Sequence, residues 1–142
     1  MAETNAYELA TQIDRLMRRL NAGVAARAPL FDPERIGPIG GMILLTIADL
    51  QPVPLQRIAD AMARDKAQLS RMISNLERRG LITRAPCKQD KRSLLLSLTR
   101  EGEAFVDTIK RTLTEVLGDI LEPLGADEQS QLMALLVKIS PI

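Results

Sequence analysis

The chain has 142 residues, of which 46% are hydrophobic and 26% charged, and a net charge of +1. This is the size and balance of one globular domain with a core of its own. It has no histidine, one cysteine, no Gly-rich phosphate loop and no apolar run long enough to span a bilayer or serve as a signal segment. We therefore expect a cytoplasmic protein that is not an enzyme and has no metal site and no cofactor.

The first half of the chain predicts helices. A helix is expected over residues 6–26, where apolar residues recur at three- and four-residue intervals, namely Leu9, Ile13, Leu16, Met17, Leu20 and Val24. Pro29 is expected to end it, and Asp32-Pro33-Glu34 to start a single short turn. Residues 39–50 are apolar on nearly all sides, which indicates a buried central helix. A turn over 51–54 and a short amphipathic helix through Met62 follow.

The segment from Asp65 to Leu98 has the order of a helix-turn-helix recognition helix followed by a β-wing. Asp65 is the expected N-cap of a helix over 66–79, with Gln68 three residues later. Its inner stripe is Leu69, Met72, Ile73 and Leu76. Gly80 stands where a left-handed C-terminal stop is expected. Strands are predicted over 81–84 and 93–98, joined by a charged tip over 86–92.

Two helices complete the predicted fold class, which is mainly α with a small β-wing. Thr99 is the expected cap of a long helix to about Leu121, and a last helix covers roughly 127–139 after the breaks at Pro123 and Gly125. The first and last helices carry more apolar surface than a small central unit covers. A second copy of the chain is the simplest way to bury that surface.

Positive charge is concentrated in one part of this near-neutral chain. Residues 64–92 contain nine Lys or Arg and three acids, a net charge of +6, which leaves −5 for the rest. Such a distribution suggests a surface that binds a polyanion. Aromatic residues make up only 2% of the chain, which argues against single-strand binding by base stacking.

The side chains opposite the inner stripe are of the types that bind DNA. Gln68, Arg71 and Asn75 are suited to base edges in the major groove, whereas Gln56, Lys66 and Ser70 are better placed for phosphates. At the tip, Lys88, Lys91 and Arg92 are expected to reach the adjacent minor groove. Asp90 either holds a nearby arginine by a charge-assisted hydrogen bond or is an ordinary turn aspartate. A solvated helix face with no partner would look similar.

The segment from Ile58 to Gly102 resembles the MarR family of winged helix-turn-helix transcriptional regulators. The matching pieces are Leu76-Glu77-Arg78-Arg79-Gly80-Leu81, the wing motif Asp90-Lys91-Arg92, and the run LSLTREG. The resemblance implies one domain over 1–142, with a DNA-binding core at 37–100 and dimerisation helices at 1–30 and 101–142. It also implies recognition-helix contacts by Gln68, Ser70, Arg71 and Asn75, and a minor-groove Arg92 that Asp90 orients.

The same resemblance implies a homodimer on a palindromic operator of double-stranded DNA. It further implies a repressor whose DNA affinity falls when a small molecule binds. A pocket in this chain would be lined mainly by Leu, Ile, Met and Ala, which suits a lipophilic effector. The alternative is a winged-helix module that binds another protein and no DNA. Such a module is expected to lack Arg and Asn on its recognition face, and this chain has both.

Overall fold

The computed structural model describes residues 5–140, and its architecture confirms the mainly α fold class with a small β-wing. The described helices are α1 (Ala6–Phe31), α2 (Gly37–Leu50), α3 (Leu55–Met62), α4 (Lys66–Arg78), α5 (Arg100–Leu121) and α6 (Ala126–Ile139). The strands are β1 (Val53–Pro54), β2 (Ile82–Pro86) and β3 (Leu94–Leu98). Residues 1–4 and 141–142 of the predicted terminal regions lie outside the described residues.

Pro29 does not end the first helix, contrary to the prediction. Helix α1 continues to Phe31 with Pro29 inside it. The missing N–H of Pro29 costs one hydrogen bond in the last turn, and the N–H of Asp32 still donates to the Ala28 carbonyl at 2.7 Å. The short turn expected after Asp32 is present at residues 33–34.

The start of α2 and residues 51–54 also differ from the prediction, and the strands predicted over 81–84 and 93–98 lie at Ile82–Pro86 and Leu94–Leu98. Helix α2 begins at Gly37 with Pro38 in its first turn, where a missing N–H has no helical partner to lose. Residues 51–54 are not entirely a turn, because Val53 and Pro54 form β1 and pair with Leu96 and Leu95 of β3. Burial of Val53, which is 1% exposed, favours this pairing. A two-residue strand is too short to show alternation in a sequence.

The three strands form an antiparallel sheet in the order β1-β3-β2. The β2–β3 register runs from Ile82 opposite Leu98 to Pro86 opposite Leu94. Residues 87–93 form the tip between these strands, and the Cys87 N–H donates to the Ser93 carbonyl at 2.9 Å across its base. We call residues 82–98, the two strands and the tip, the wing.

The chain divides into two compact units, and Glu34–Lys110 is one of them. Its core joins apolar side chains of α2, α3, α4, the sheet and the start of α5, among them Ile43, Leu44, Ile47, Ile58, Leu69, Ile73, Leu76, Leu96 and Val106. The predicted inner stripe of α4 is therefore buried, apart from Met72, which is half-buried. The predicted core boundaries at 37 and 100 fall inside this unit.

The other unit combines the described residues up to Pro33 with those from Arg111 onward. The Arg27 guanidinium joins α1 to α5 within it, with Nη2 at 3.2 Å from Oδ2 of Asp119. Neither α1 nor α6 contains a buried residue. Their exposed apolar side chains include Tyr7, Leu9, Ile13, Leu16, Met17, Met133, Leu135, Leu136, Val137 and Ile139. Over residues 5–140, no helix combines the length and hydropathy needed to cross a bilayer.

Candidate nucleic-acid interface

Local signals in the sequence fix both ends of α4. The Asp65 carboxylate accepts the backbone N–H of Gln68 at 3.1 Å, as expected of the predicted N-cap. At the other end, Gly80 has φ +73°, a conformation that glycine adopts without strain. The Leu81 N–H then donates to the Leu76 carbonyl at 3.1 Å, which satisfies a carbonyl of the last turn. The helix therefore has a defined length and presents a fixed outer face.

The outer face of α4 carries the five recognition-helix residues predicted from the sequence. Lys66, Gln68 and Arg71 are exposed, and Ser70 and Asn75 are half-buried. Within residues 5–140, no hydrogen bond or ion pair engages these five side chains. Their donors and acceptors remain available to a molecule outside the chain.

The wing tip carries the four other charged residues of the predicted site. Lys88, Asp90, Lys91 and Arg92 are all exposed. The Asp90 carboxylate accepts the backbone N–H of Arg92 at 3.0 Å, and the Asp90 carbonyl accepts the Ser93 N–H at 3.0 Å. Asp90 therefore stabilises the turn through backbone contacts, which is the ordinary role of a turn aspartate. Its carboxylate contacts the backbone of Arg92 and not the guanidinium.

One open cleft of about 230 Å³ brings three predicted site residues together from three elements. Gln56 at the start of α3, Lys66 at the start of α4 and Arg92 of the wing tip all line it. Gln56 is partly engaged within its own helix, because its Nε2 donates to the Asp60 carboxylate at 2.9 Å. The other lining residues are Pro54, Leu55, Ile73, Arg84, Ser93, Leu94 and Leu96. Arg71, Asn75, Lys88 and Lys91 do not line this cleft.

Two arginines of the basic segment are already paired with acids. Arg84 of β2 places Nε 3.1 Å from Oε2 of Glu77 and donates from Nη2 to the Ser74 hydroxyl at 2.9 Å. Arg79 donates from Nη1 to the Glu34 carbonyl at 2.7 Å, and this atom lies 3.7 Å from the Glu34 carboxylate. Sequence reasoning assigned no role to these pairs. The only sequence signal for one of them is an acid, Glu77, in an otherwise basic helix end.

The MarR family model matches residues 41–94, a segment that contains all ten predicted site residues. Residues 41–94 therefore have the sequence pattern of the MarR family. MarR-family proteins are DNA-binding transcriptional regulators. The match runs from α2 through α3 and α4 to the first residue of β3, so it covers the helix-turn-helix and the wing tip.

Solved structures of MarR-type proteins share this fold over nearly the whole chain. Wild-type MarR from E. coli, in its apo form, is 23% identical with a TM-score of 0.73, and the alignment covers 98% of this chain and 99% of MarR. A probable transcriptional regulator from Pseudomonas aeruginosa is 28% identical with a TM-score of 0.64, covering 93% and 99%. MepR from S. aureus, solved as a complex with DNA, is 25% identical with a TM-score of 0.69, covering 96% and 97%.

Proposed function

We propose that this protein is a MarR-family regulator, a homodimeric repressor that binds a palindromic operator and is released from it by a small lipophilic ligand. The observation that carries the DNA-binding part is the outer face of α4. There the side chains of Gln68, Arg71 and Asn75 have no partner within residues 5–140. Lys66, on the same helix, shares a cleft with Arg92 of the cationic wing tip. An α-helix that presents such side chains fits the major groove of B-DNA.

The residues of the interface divide by chemistry into two kinds of contact. Arg71 suits a guanine edge, and Gln68 and Asn75 suit adenine. Lys66 and Ser70 near the start of α4, together with Gln56 of α3, are proposed to bind phosphates. Phosphate contacts position the protein on DNA without reading its sequence. In the wing tip, Arg92 is proposed to enter the minor groove, and Lys88 and Lys91 to contact the flanking backbone.

In vitro selection of bound duplexes, followed by affinity measurements with Arg71→Ala, tests this assignment. The substitution is expected to weaken the selected site by ~1–3 kcal/mol and to relax the sequence preference. Arg18→Ala is the control, because Arg18 is exposed on α1 and paired with Asp14. If Arg71→Ala binds every duplex as the parent does, the reading face is wrong. If the parent selects no duplex, the protein-interaction module becomes the better interpretation.

The homodimer is proposed from the apolar surface of α1 and α6. Exposed apolar side chains in such number mark a surface that another molecule covers, and a second copy would also supply a second recognition helix. Two such helices read half-sites roughly 34–36 Å apart, which predicts a palindromic operator. Val137→Glu is expected to produce monomers in sedimentation velocity and to lose operator binding. Gln131→Glu places the same charge on the same exposed helix and is expected to remain dimeric.

Repression and its relief by a ligand are proposed from the match to the MarR family model and from composition. The chain has few aromatic residues and many aliphatic ones, which favours an aliphatic or otherwise adaptable ligand over a stacked ring. A reporter placed behind the selected operator is expected to be silenced by the protein. Titrating medium-chain aliphatic compounds into the protein–operator complex tests the release. Activation of the reporter would contradict the repressor assignment.

A further inference from the structure

Three polar side chains bridge the recognition helix and the wing. Arg84 lies in the middle of β2, opposite Leu96 of β3. Its Nε is 3.1 Å from Oε2 of Glu77, and its Nη2 donates to the Ser74 hydroxyl at 2.9 Å. Ser74 and Glu77 are three residues apart on α4, so both lie on one side of the helix. We call these three residues the wing brace.

The charged side chains of the wing brace are partly buried, so each charge depends more on its partner than in a surface ion pair. The Arg84 side chain is 26% exposed and that of Glu77 is 40% exposed. The Arg84 Nε has no solvent contact and lacks the alignment of a hydrogen bond, so its nearest compensation is the charge of Glu77. Removing one member of a partly buried pair leaves the other charge uncompensated. The arrangement is therefore favoured in one geometry.

The wing brace connects the two parts of the interface. On α4, Ser74 is three residues from Arg71 and adjacent to Asn75, which belong to the reading face. On the wing, Arg84 belongs to the strand that leads into the tip, and it lines the same cleft as Lys66 and Arg92. A change in its position would shift the tip relative to the helix.

We propose that Ser74, Glu77 and Arg84 are positioning residues that hold the wing tip at a fixed place relative to α4. This inference rests on the proposed function, in which α4 and the wing contact DNA together. A contact held in place before binding loses less entropy when DNA binds, and a site works best when surrounding residues hold its geometry. Without the brace, the wing would contribute less to affinity, whereas the contacts of α4 would be retained.

The test measures the contribution of the wing with and without the brace. In the parent protein, Arg71→Ala and Arg92→Ala are each expected to weaken operator binding about tenfold. In an Arg84→Met background, Arg71→Ala should still lower operator affinity about tenfold. Arg92→Ala should lower it less than about threefold in that background. Glu77→Gln, which removes the charge with little change of shape, is expected to act in the same direction and carries the test if Arg84→Met does not fold.

Arg79→Met is the matched control background. The Arg79 side chain is also 26% exposed and paired with an acid, Glu34, but neither residue belongs to the wing. In the Arg79→Met background, Arg92→Ala should still lower operator affinity about tenfold. If Arg92→Ala costs about tenfold in both the Arg84→Met and Glu77→Gln backgrounds, the positioning role is wrong. If Arg71→Ala and Arg92→Ala are without effect in the parent itself, the proposed DNA contacts fail instead.

Discussion

Gly102, in the first turn of α5, is the position where the smallest substitution should have a large effect. A Cβ built on Gly102 would lie 2.0 Å from the Leu81 carbonyl oxygen, and real Cβ atoms essentially never approach another heavy atom below 3.0 Å. The helix or the Leu81 peptide would therefore have to move by at least about 1 Å. Leu81 is held through both of its backbone polar groups, because its carbonyl accepts the Thr99 N–H at 3.0 Å and its N–H donates to the Leu76 carbonyl.

The expected loss for Gly102→Ala can be worked from these contacts. Overpacking costs about 1–3 kcal/mol, and disturbing the Thr99–Leu81 hydrogen bond adds about 1 kcal/mol. The better helix propensity of alanine offsets up to about 1 kcal/mol. The free energy of unfolding should therefore fall by roughly 1–4 kcal/mol. Gly41→Ala in α2 is the control, because its Cβ would make an ordinary 3.6 Å contact with Ile109, and it should be neutral or stabilise by up to about 1 kcal/mol.

Urea unfolding followed by circular dichroism at one protein concentration measures both variants, since oligomerisation makes apparent stability depend on concentration. An unchanged midpoint for Gly102→Ala would refute the steric argument. An equal loss for Gly41→Ala would show that helical glycines are needed for a reason other than the Leu81 carbonyl.

Three further outcomes follow from the same contacts. Asp65→Ala removes the N-cap of α4 and should lower the free energy of unfolding by about 1 kcal/mol, whereas Asp65→Asn should retain most of it in the same urea assay. Ile73→Ala, at a side chain that is 1% exposed, should lower it by about 2–5 kcal/mol; a loss below that range would mean that the core collapses around the smaller side chain. Lys88→Ala should reduce the slope of log affinity against log salt by about one. Arg79→Met should leave that slope unchanged, because the charge of Arg79 already has an acidic partner in Glu34.

Local patterns predicted the parts of the fold whose causes are local. The cap at Asp65, the stop at Gly80 and the apolar stripe of α4 act within a few residues of each other, and each lies where it was expected. The Thr99 cap is also confirmed, since its hydroxyl accepts the Gly102 N–H at 3.0 Å. In the same way, exposure of eight of the ten predicted site residues, all but the half-buried Ser70 and Asn75, follows from helical periodicity and from the charged composition of the wing tip.

The features that were missed depend on contacts between distant parts of the chain. Strand β1 exists because Val53 and Pro54 meet β3, more than 40 residues later. The Arg79–Glu34 pair joins residues 45 positions apart, and no periodicity signals it. Pro29 is different, because its signal is local, yet the helix continues past it to Phe31. A proline near the end of a helix removes one hydrogen bond and leaves the preceding turns intact.

The pairing of arginines changes the meaning of the basic segment. Counted along the sequence, its nine cations are equivalent and its net charge is +6. In the described structure, seven of them lack an acidic partner, whereas Arg79 and Arg84 are paired with Glu34 and Glu77. Glu34 lies outside the segment, so a local charge count overstates the charge that is free to bind phosphate. The paired arginines lie at the end of α4 and on β2 and are half-buried, but Arg64 is half-buried too and has no acidic partner among the described residues. Pairing with an acid, rather than burial alone, therefore distinguishes Arg79 and Arg84 from the cations whose charge remains free.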